Sequence, residues 1–218
     1  MGRRQKQIRF DYVKACRFVL EYKKDLFEDI KGKWHEIMFK NTNPITLEIG
    51  CGKGEYTVGL AELFPNRNFI GIDIKGSRIF KGIEATEAKG LKNVAFLRTM
   101  VLLIEGFFKK GEVEEIWLTF PDPRPLDGDE KRRLFSPRFL TLYKSILIDG
   151  GILNLKTDNH DLYLYALDVI KDMGITPMIA TDDLYNSAYE KDCFGIKTTY
   201  EVRYLDEGVK INYLKIQL

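Results

Sequence analysis

The sequence has little of what metal centres and disulfide frameworks are built from. It carries three cysteines, Cys16, Cys51 and Cys193, with no C-x-x-C pair, and two histidines, His35 and His160. No metal site and no disulfide scaffold is expected, and a reducing cytoplasm is the expected compartment. No apolar run approaches the roughly 20 residues that a membrane-spanning helix needs. The opening stretch GRRQKQIRF is basic and lacks the apolar segment of a signal peptide. No membrane partner is expected. Repeats, linkers and low-complexity segments are absent too. With a formal net charge of +2, the chain has no large excess of either sign, so its charge is informative only where it is concentrated.

The 218 residues, 44% of them hydrophobic, suffice for one α/β domain with a full core and are few for two. Residues 1–40 read as a basic arm and a helix, with eleven Lys/Arg against six Asp/Glu. Val13, Phe18, Val19 and Phe27 suit one helical face, and Asp11 suits its cap. Residues 41–218 read as the main body. Short β-branched runs, ITLEIG (45–50), NFIGIDI (68–74), VAFLRT (94–99), EEIWLTF (114–120) and GGILNLKTD (150–158), alternate with helical patterns. TPMIATDD is expected as a sixth strand, and the tail VRYLDEGVKINYLKIQL as a hairpin or a paired strand. Ser136 and Pro137 open one helix as N-cap and first residue. This order predicts a parallel sheet with helices on both faces, and continuously apolar strands agree with burial on both sides. Ligands of such sheets bind beyond the carboxyl ends of the strands. The candidate positions are therefore Glu48 to Gly54, Asp73 with Ile74, Thr99 with Met100, Asp122 and Asp158.

The first strand runs into LEIGCGKGE, a G-x-G-x-G loop ahead of a helix. Small residues such as Gly50, Cys51 and Gly52 let backbone approach a ligand closely, and the helix start offers free N–H groups. A dinucleotide site would want a further glycine at position 55, where this chain has Glu55, an anion that disfavours a pyrophosphate. Asp73, at the end of the second strand, is placed to accept hydrogen bonds from ribose hydroxyls. S-adenosylmethionine, which has a ribose, a zwitterion and a sulfonium but no phosphate, meets these demands. A tight turn beside a solvated strand end explains the glycines alone; loop, context and acid together favour the nucleoside site.

The fourth long run ends in TFPDPRPLDGDEKRRL. Pro121 and Pro123 fix their own φ, and Pro123 restricts Asp122 to extended conformations. A carboxylate is thereby held at a strand end. Lys131, Arg132 and Arg133 follow it and suit contacts to nucleic-acid phosphates, as do Arg3, Arg4, Lys6 and Arg9 of the arm; a solvated helix face and a frayed terminus are the plainer alternatives. Phe107, Phe108, Tyr143, Tyr163 and Tyr165 have the spacing of core residues.

The motifs LEIGCGKG, GIDI, FPDP, KRRL, KTD and TTYE stand here in the order seen in bacterial tRNA (guanine-N7)-methyltransferases, and from about Lys31 to Glu201 the chain resembles that family. FPDP followed by KRRL is the specific part; the glycine loop alone marks class I methyltransferases. The resemblance implies a class I, Rossmann-like α/β fold with a mostly parallel seven-stranded sheet, helices on both faces and an antiparallel last strand. It implies transfer of a methyl group from S-adenosylmethionine to N7 of a guanosine in the tRNA variable loop (conventional position 46), by a monomer or homodimer. Glu48 and Asp73 then match cofactor-binding acids, and Asp122 matches the residue at the reaction centre. Asp158 matches a substrate-binding acid, and Thr198, Tyr200 and Glu201 match a T-x-[FY]-E motif facing substrate and cofactor, with Thr199 at its variable position. Arg124 stands where the family usually has Trp, Leu126 where it has a substrate-contacting lysine, and Met100 where an acid or amide meets adenine. The rival expectations are a class I methyltransferase of another RNA, a protein or a small molecule, and an RNA-binding module without activity.

Overall fold

The computed structural model describes residues 3–21 and 29–218, with side chains from Gln7 onward in the first helix. Of the arm, Arg3, Arg4 and Lys6 lie outside the described side chains, and Phe27 lies outside the described residues. Helix α1 spans Arg3–Ala15, and strand β1 spans Val19–Glu21. There follow β2 (Ile45–Ile49), α2 (Glu55–Leu63), β3 (Asn68–Asp73), α3 (Gly76–Ala88), β4 (Val94–Arg98) and β5 (Val113–Thr119). The chain continues with α4 (Pro137–Ile146), β6 (Leu147–Thr157), α5 (His160–Asp172), β7 (Ile179–Thr181), α6 (Thr199–Asp206) and β8 (Asn212–Gln217).

The strands form one sheet in the order β1-β4-β3-β2-β5-β6-β8-β7. All neighbours from β1 to β6 pair in parallel, and β8 pairs antiparallel with both β6 and β7. Seven of these strands make the expected sheet with its antiparallel last strand, and β1 adds a short eighth at the edge. The continuously apolar runs do face two cores. Ile116 and Leu118 of β5 belong to the cluster containing Trp34, Phe108 and Tyr143. Trp117, between them, belongs to the other cluster, with Tyr56, Phe96 and Tyr213. Each fully buried aliphatic or aromatic side chain contributes roughly 1.5–3 kcal/mol of transfer free energy, so the two faces dominate stability.

Three local expectations are revised, one of them by tertiary pairing. Phe18 lies in a turn and Val19 in β1, not on the face of a longer N-terminal helix, because residues 19–21 pair with Phe96–Arg98. The Arg98 guanidinium locks this edge by an ion pair with Glu21 at 2.9 Å. Asp11 sits inside α1 and accepts a hydrogen bond from Gln7, so it caps nothing. Arg9 lays its guanidinium over the Phe80 ring, 5.2 Å from the centroid. In the tail, residues 199–206 are helical and only β8 is extended. The helix is dictated by a capping box, in which Thr198 Oγ accepts from the Glu201 N–H and the Glu201 carboxylate accepts from the Thr198 N–H.

Candidate active site

The strand ends of β2, β3, β4 and β5 and the starts of α3 and α4 surround a cleft of about 410 Å³. Its floor and rim include Gly50, Asp73, Ile74, Thr99, Met100, Asp122, Lys131 and Arg132. Eight residues expected to be functional from sequence are thus brought together, although β4 and β5 are separated from the glycine loop by long stretches of chain.

The loop after β2 is shaped by glycines. Gly54 has φ +71°, and a Cβ there would come within 2.8 Å of the Phe96 ring. Gly71 on β3 is equally confined, since its added Cβ would meet both Phe96 and the Cys51 sulfur at 2.9 Å. Cys51 is therefore a small packing residue beneath the loop, and burial pushes its thiol well above the ordinary range; a thiolate role is disfavoured. Gly52 uses its N–H to hold Asp73 Oδ2 at 2.9 Å, while the Lys75 N–H holds Oδ1 at 2.7 Å. Each Asp73 oxygen keeps a further acceptor position. That is the acceptor set a ribose diol needs, and the exposed apolar side chains of Ile74 and Met100 next to it suit a flat base. The residues present fit S-adenosylmethionine.

Glu48 stands apart from the cleft wall. Its carboxylate is buried and accepts hydrogen bonds from the Thr119 hydroxyl at 2.5 Å, the Thr57 N–H at 2.8 Å and the Thr57 hydroxyl. Burial raises its pKa to about 7, against the lowering effect of those hydrogen bonds. In this arrangement Glu48 ties the ends of β2 and β5 to the first turn of α2 and shapes the loop from below.

Asp122 projects from β5's end with 64% of its side chain exposed. Arg124 Nε lies 3.1 Å from its Oδ2, and the Arg124 N–H donates to Oδ1 at 3.3 Å. Phe120 and Arg124 both have left-handed backbone, with φ +50° and +49°, and each directly precedes a proline. Such conformations cost of order 1–3 kcal/mol each and persist where surrounding structure enforces them. Here Phe120 is held by its N–H to the Lys156 carbonyl at 2.8 Å. Arg124 is held by Arg133, whose Nε donates to its carbonyl at 3.0 Å. Arg133 in turn lies over the Tyr165 ring, 4.4 Å from the centroid, and Tyr165 donates to Glu130 at 3.0 Å. Arg133, expected as a phosphate contact, gives its Nε to the backbone of the PDPRP loop. Arg132 reaches the cleft but pairs with Asp129 at 2.9 Å. Lys131 has no ion pair among the described residues.

The remaining expected residues lie elsewhere. Asp158 opens on a separate depression of about 380 Å³ with His160, Asp182 and Lys210. Burial raises its pKa, and a hydrogen bond with Tyr204 opposes the rise; Tyr204 also stacks on Phe120. Asp122 and Asp158 thus follow neighbouring strands and line different depressions. Glu201 does not face the cleft. It is wholly buried, paired with Lys156 at 2.6 Å, and accepts from the Tyr185 hydroxyl at 2.5 Å. Thr198 caps α6. Thr199 gives both its N–H and its hydroxyl to Glu55, so the acid at position 55 anchors α6 to α2. Tyr200 is exposed. His160 starts α5, with Asn159 as its cap. Missed from sequence were Lys75, Arg78 and Arg138, which also line the cleft. The available signal was their position in the first turns after β3 and after Ser136. Among the described residues no cluster of three or more potential metal ligands occurs, and no helix is long and apolar enough to cross a membrane.

Comparison with known proteins agrees with this geometry. A family model described as "Putative methyltransferase" matches residues 42–214. The chain is 45% identical over 216 residues to a tRNA (guanine-N(7)-)-methyltransferase of Cytophaga hutchinsonii, covering 98% of this chain and 97% of that protein. It is 43% identical to one of Christiangramia forsetii over the full length of both. Among solved structures, the 16S rRNA methyltransferase KamB superposes with a TM-score of 0.64 at 16% identity, over 89% of this chain and 94% of that one. A SAM-dependent methyltransferase of Aquifex aeolicus gives 0.54 at 13% identity, over 89% and 93%; these two likenesses concern the fold alone. The chain has the class I methyltransferase fold and belongs to the tRNA (guanine-N7)-methyltransferase family.

Proposed function

We propose that this protein methylates N7 of a guanosine in the variable loop of tRNA, at conventional position 46, with S-adenosylmethionine as donor and in the cytoplasm. The observation that carries the reading is the presence of Asp73 and Asp122 in one cleft, the first with free acceptor positions and the second exposed at its edge. When bound, S-adenosylmethionine supplies an electrophilic methyl group. Asp73 accepts the ribose hydroxyls, and Ile74 and Met100 cover the base. Guanine N7 already has an in-plane lone pair, so the protein needs no group to deprotonate it. Its task is alignment and stabilisation of the positive charge that grows on the guanine ring. Asp122 does both by accepting hydrogen bonds from the N1–H and N2–H₂ edge. Arg124, braced by Arg133, keeps that carboxylate in place. Asp122 is favoured over Asp158 because it lines the same cleft as Asp73, whereas Asp158 lines another depression. Loosening of the target base from the tRNA fold costs a few kcal/mol, which phosphate contacts offset.

The test is incubation of the protein with an unmodified tRNA transcript and S-adenosylmethionine, followed by nucleoside mass spectrometry. The expected product is 7-methylguanosine, absent from a transcript lacking the variable-loop guanosine. Methylation of another nucleoside, or none, would overturn the reading.

A further inference from the structure

The cleft is far more cationic than the expected ribose, base and methyl chemistry requires. Apart from Arg124 and Arg132, whose charges are met by Asp122 and Asp129, four cations line it without an ion pair among the described residues: Lys75, Arg78, Lys131 and Arg138. Three of them sit where helix electrostatics argues against a cation. Lys75 is the N-cap residue of α3, Arg78 lies in its first turn, and Arg138 lies in the first turn of α4. Helix N-termini carry partial positive charge and ordinarily attract Asp or Glu. Neither helix has an acid in its first turn, and neither has a side-chain cap hydrogen bond. At α4 the N-cap Ser136 is buried with its hydroxyl unpartnered. Three exposed cations thus stand at the positive ends of two helices on one cleft, and polyanion binding offsets that unfavourable placement.

We infer that Lys75, Arg78 and Arg138 hold backbone phosphates of the tRNA on either side of the target guanosine, forming one cationic track with Lys131. The inference rests on the reading of the cleft as a tRNA site. Its chemistry is sequence-independent: each cation that neutralises a phosphate releases a counterion and steepens the salt dependence of binding. This track takes over the grip expected of Arg133, which the loop has claimed. It also explains how the site tolerates Leu126 in place of a cation, since charge arrives from α3 and α4 instead.

The experiment compares the tRNA affinity of the full chain across salt concentrations for wild type, for Lys75→Gln/Arg78→Gln/Arg138→Gln, and for Arg78→Lys/Arg138→Lys. The slope of log K against log salt should fall in magnitude by about 2–3 in the Gln variant and stay at the wild-type value in the Lys variant. S-adenosylmethionine affinity by calorimetry should stay within about twofold. An unchanged slope in the Gln variant overturns the inference. So does an unchanged slope with weakened S-adenosylmethionine binding, which would hand these cations to the cofactor's carboxylate. If the triple variant does not fold, the single variants Arg78→Gln and Arg138→Gln must each lower the slope by about 0.7–0.9. Wild type without salt-dependent tRNA binding would instead bring down the functional reading itself, a result distinct from a wild-type slope that the substitutions leave intact.

Discussion

Lys156 Nζ lies 2.6 Å from Glu201 Oε1, and neither side chain exposes any surface. The pair joins the KTD end of β6 to the first turn of α6. Lys156 also donates to the Ile196 carbonyl at 3.2 Å and lies over the Tyr56 ring, so its charge is closely surrounded. Removing one partner strands the other in a low-dielectric interior, which costs about 3–5 kcal/mol. Glu201→Gln should destabilise the protein by that order in urea unfolding, and Lys156→Met/Glu201→Leu should recover much of the loss. A Glu201→Gln variant as stable as wild type would show the pair to be dispensable.

Glu48 gives a pH signature. Its folded pKa of about 7 lies above the ordinary value of 4.5, so the folded state binds the proton more tightly than the unfolded chain. The stability contributed is full below about pH 4.5 and is lost as pH rises to about 7, a change on the order of 3 kcal/mol. Measured as the difference between wild type and Glu48→Gln, the unfolding free energy should fall across that window and level off above it. Parallel pH curves for the two proteins would contradict the shift.

Asp122→Asn keeps size and one acceptor but removes the charge and turns a donor toward the guanine's own donors. Single-turnover methylation at saturating tRNA and S-adenosylmethionine should slow about a hundred- to a thousand-fold, about 2.7–4 kcal/mol of transition-state stabilisation. Affinity for tRNA should change far less, because phosphates dominate it. Near-wild-type turnover would transfer the role to another group.

Lys131 and Arg133, neighbours in one basic run, should behave differently. Lys131→Gln removes a free cation and should lower the salt slope of tRNA binding by about 0.7–0.9. Arg133→Gln releases the carbonyl of Arg124 and should slow turnover while leaving that slope unchanged. Equal slope changes in both would mean that Arg133 leaves its loop to meet RNA.

The sheet was legible because its strands are buried on both faces, and unbroken apolar runs such as NFIGID mark this directly. The edge strand at residues 19–21 was not, because three residues carry no period and their conformation is imposed by β4. The convergence of Gly50, Asp73, Thr99 and Asp122 on one cleft was readable from strand ends, because such a sheet brings those ends together wherever it forms. The motif T-T-Y-E was recognised as a unit, yet Thr-x-x-Glu is also the signature of a capping box, and here that use explains two of its residues. The commitments of Glu48, Arg133 and Glu201 to internal partners depend on contacts between distant segments, which local pattern does not encode.

The position of β8 bears on how the molecule is made. Residues 212–217 leave the ribosome after every other described strand, yet they lie between β6 and β7 and pair with both. Until they arrive, β6 presents an open row of peptide groups, a surface prone to pairing with other chains. The Tyr213 hydroxyl still lacks Asn154, its partner at 2.8 Å in the finished sheet. The strands that lead to Asp73 and Asp122 can therefore assemble on the nascent chain, whereas the β6–β8–β7 edge closes only once residues 212–217 have emerged.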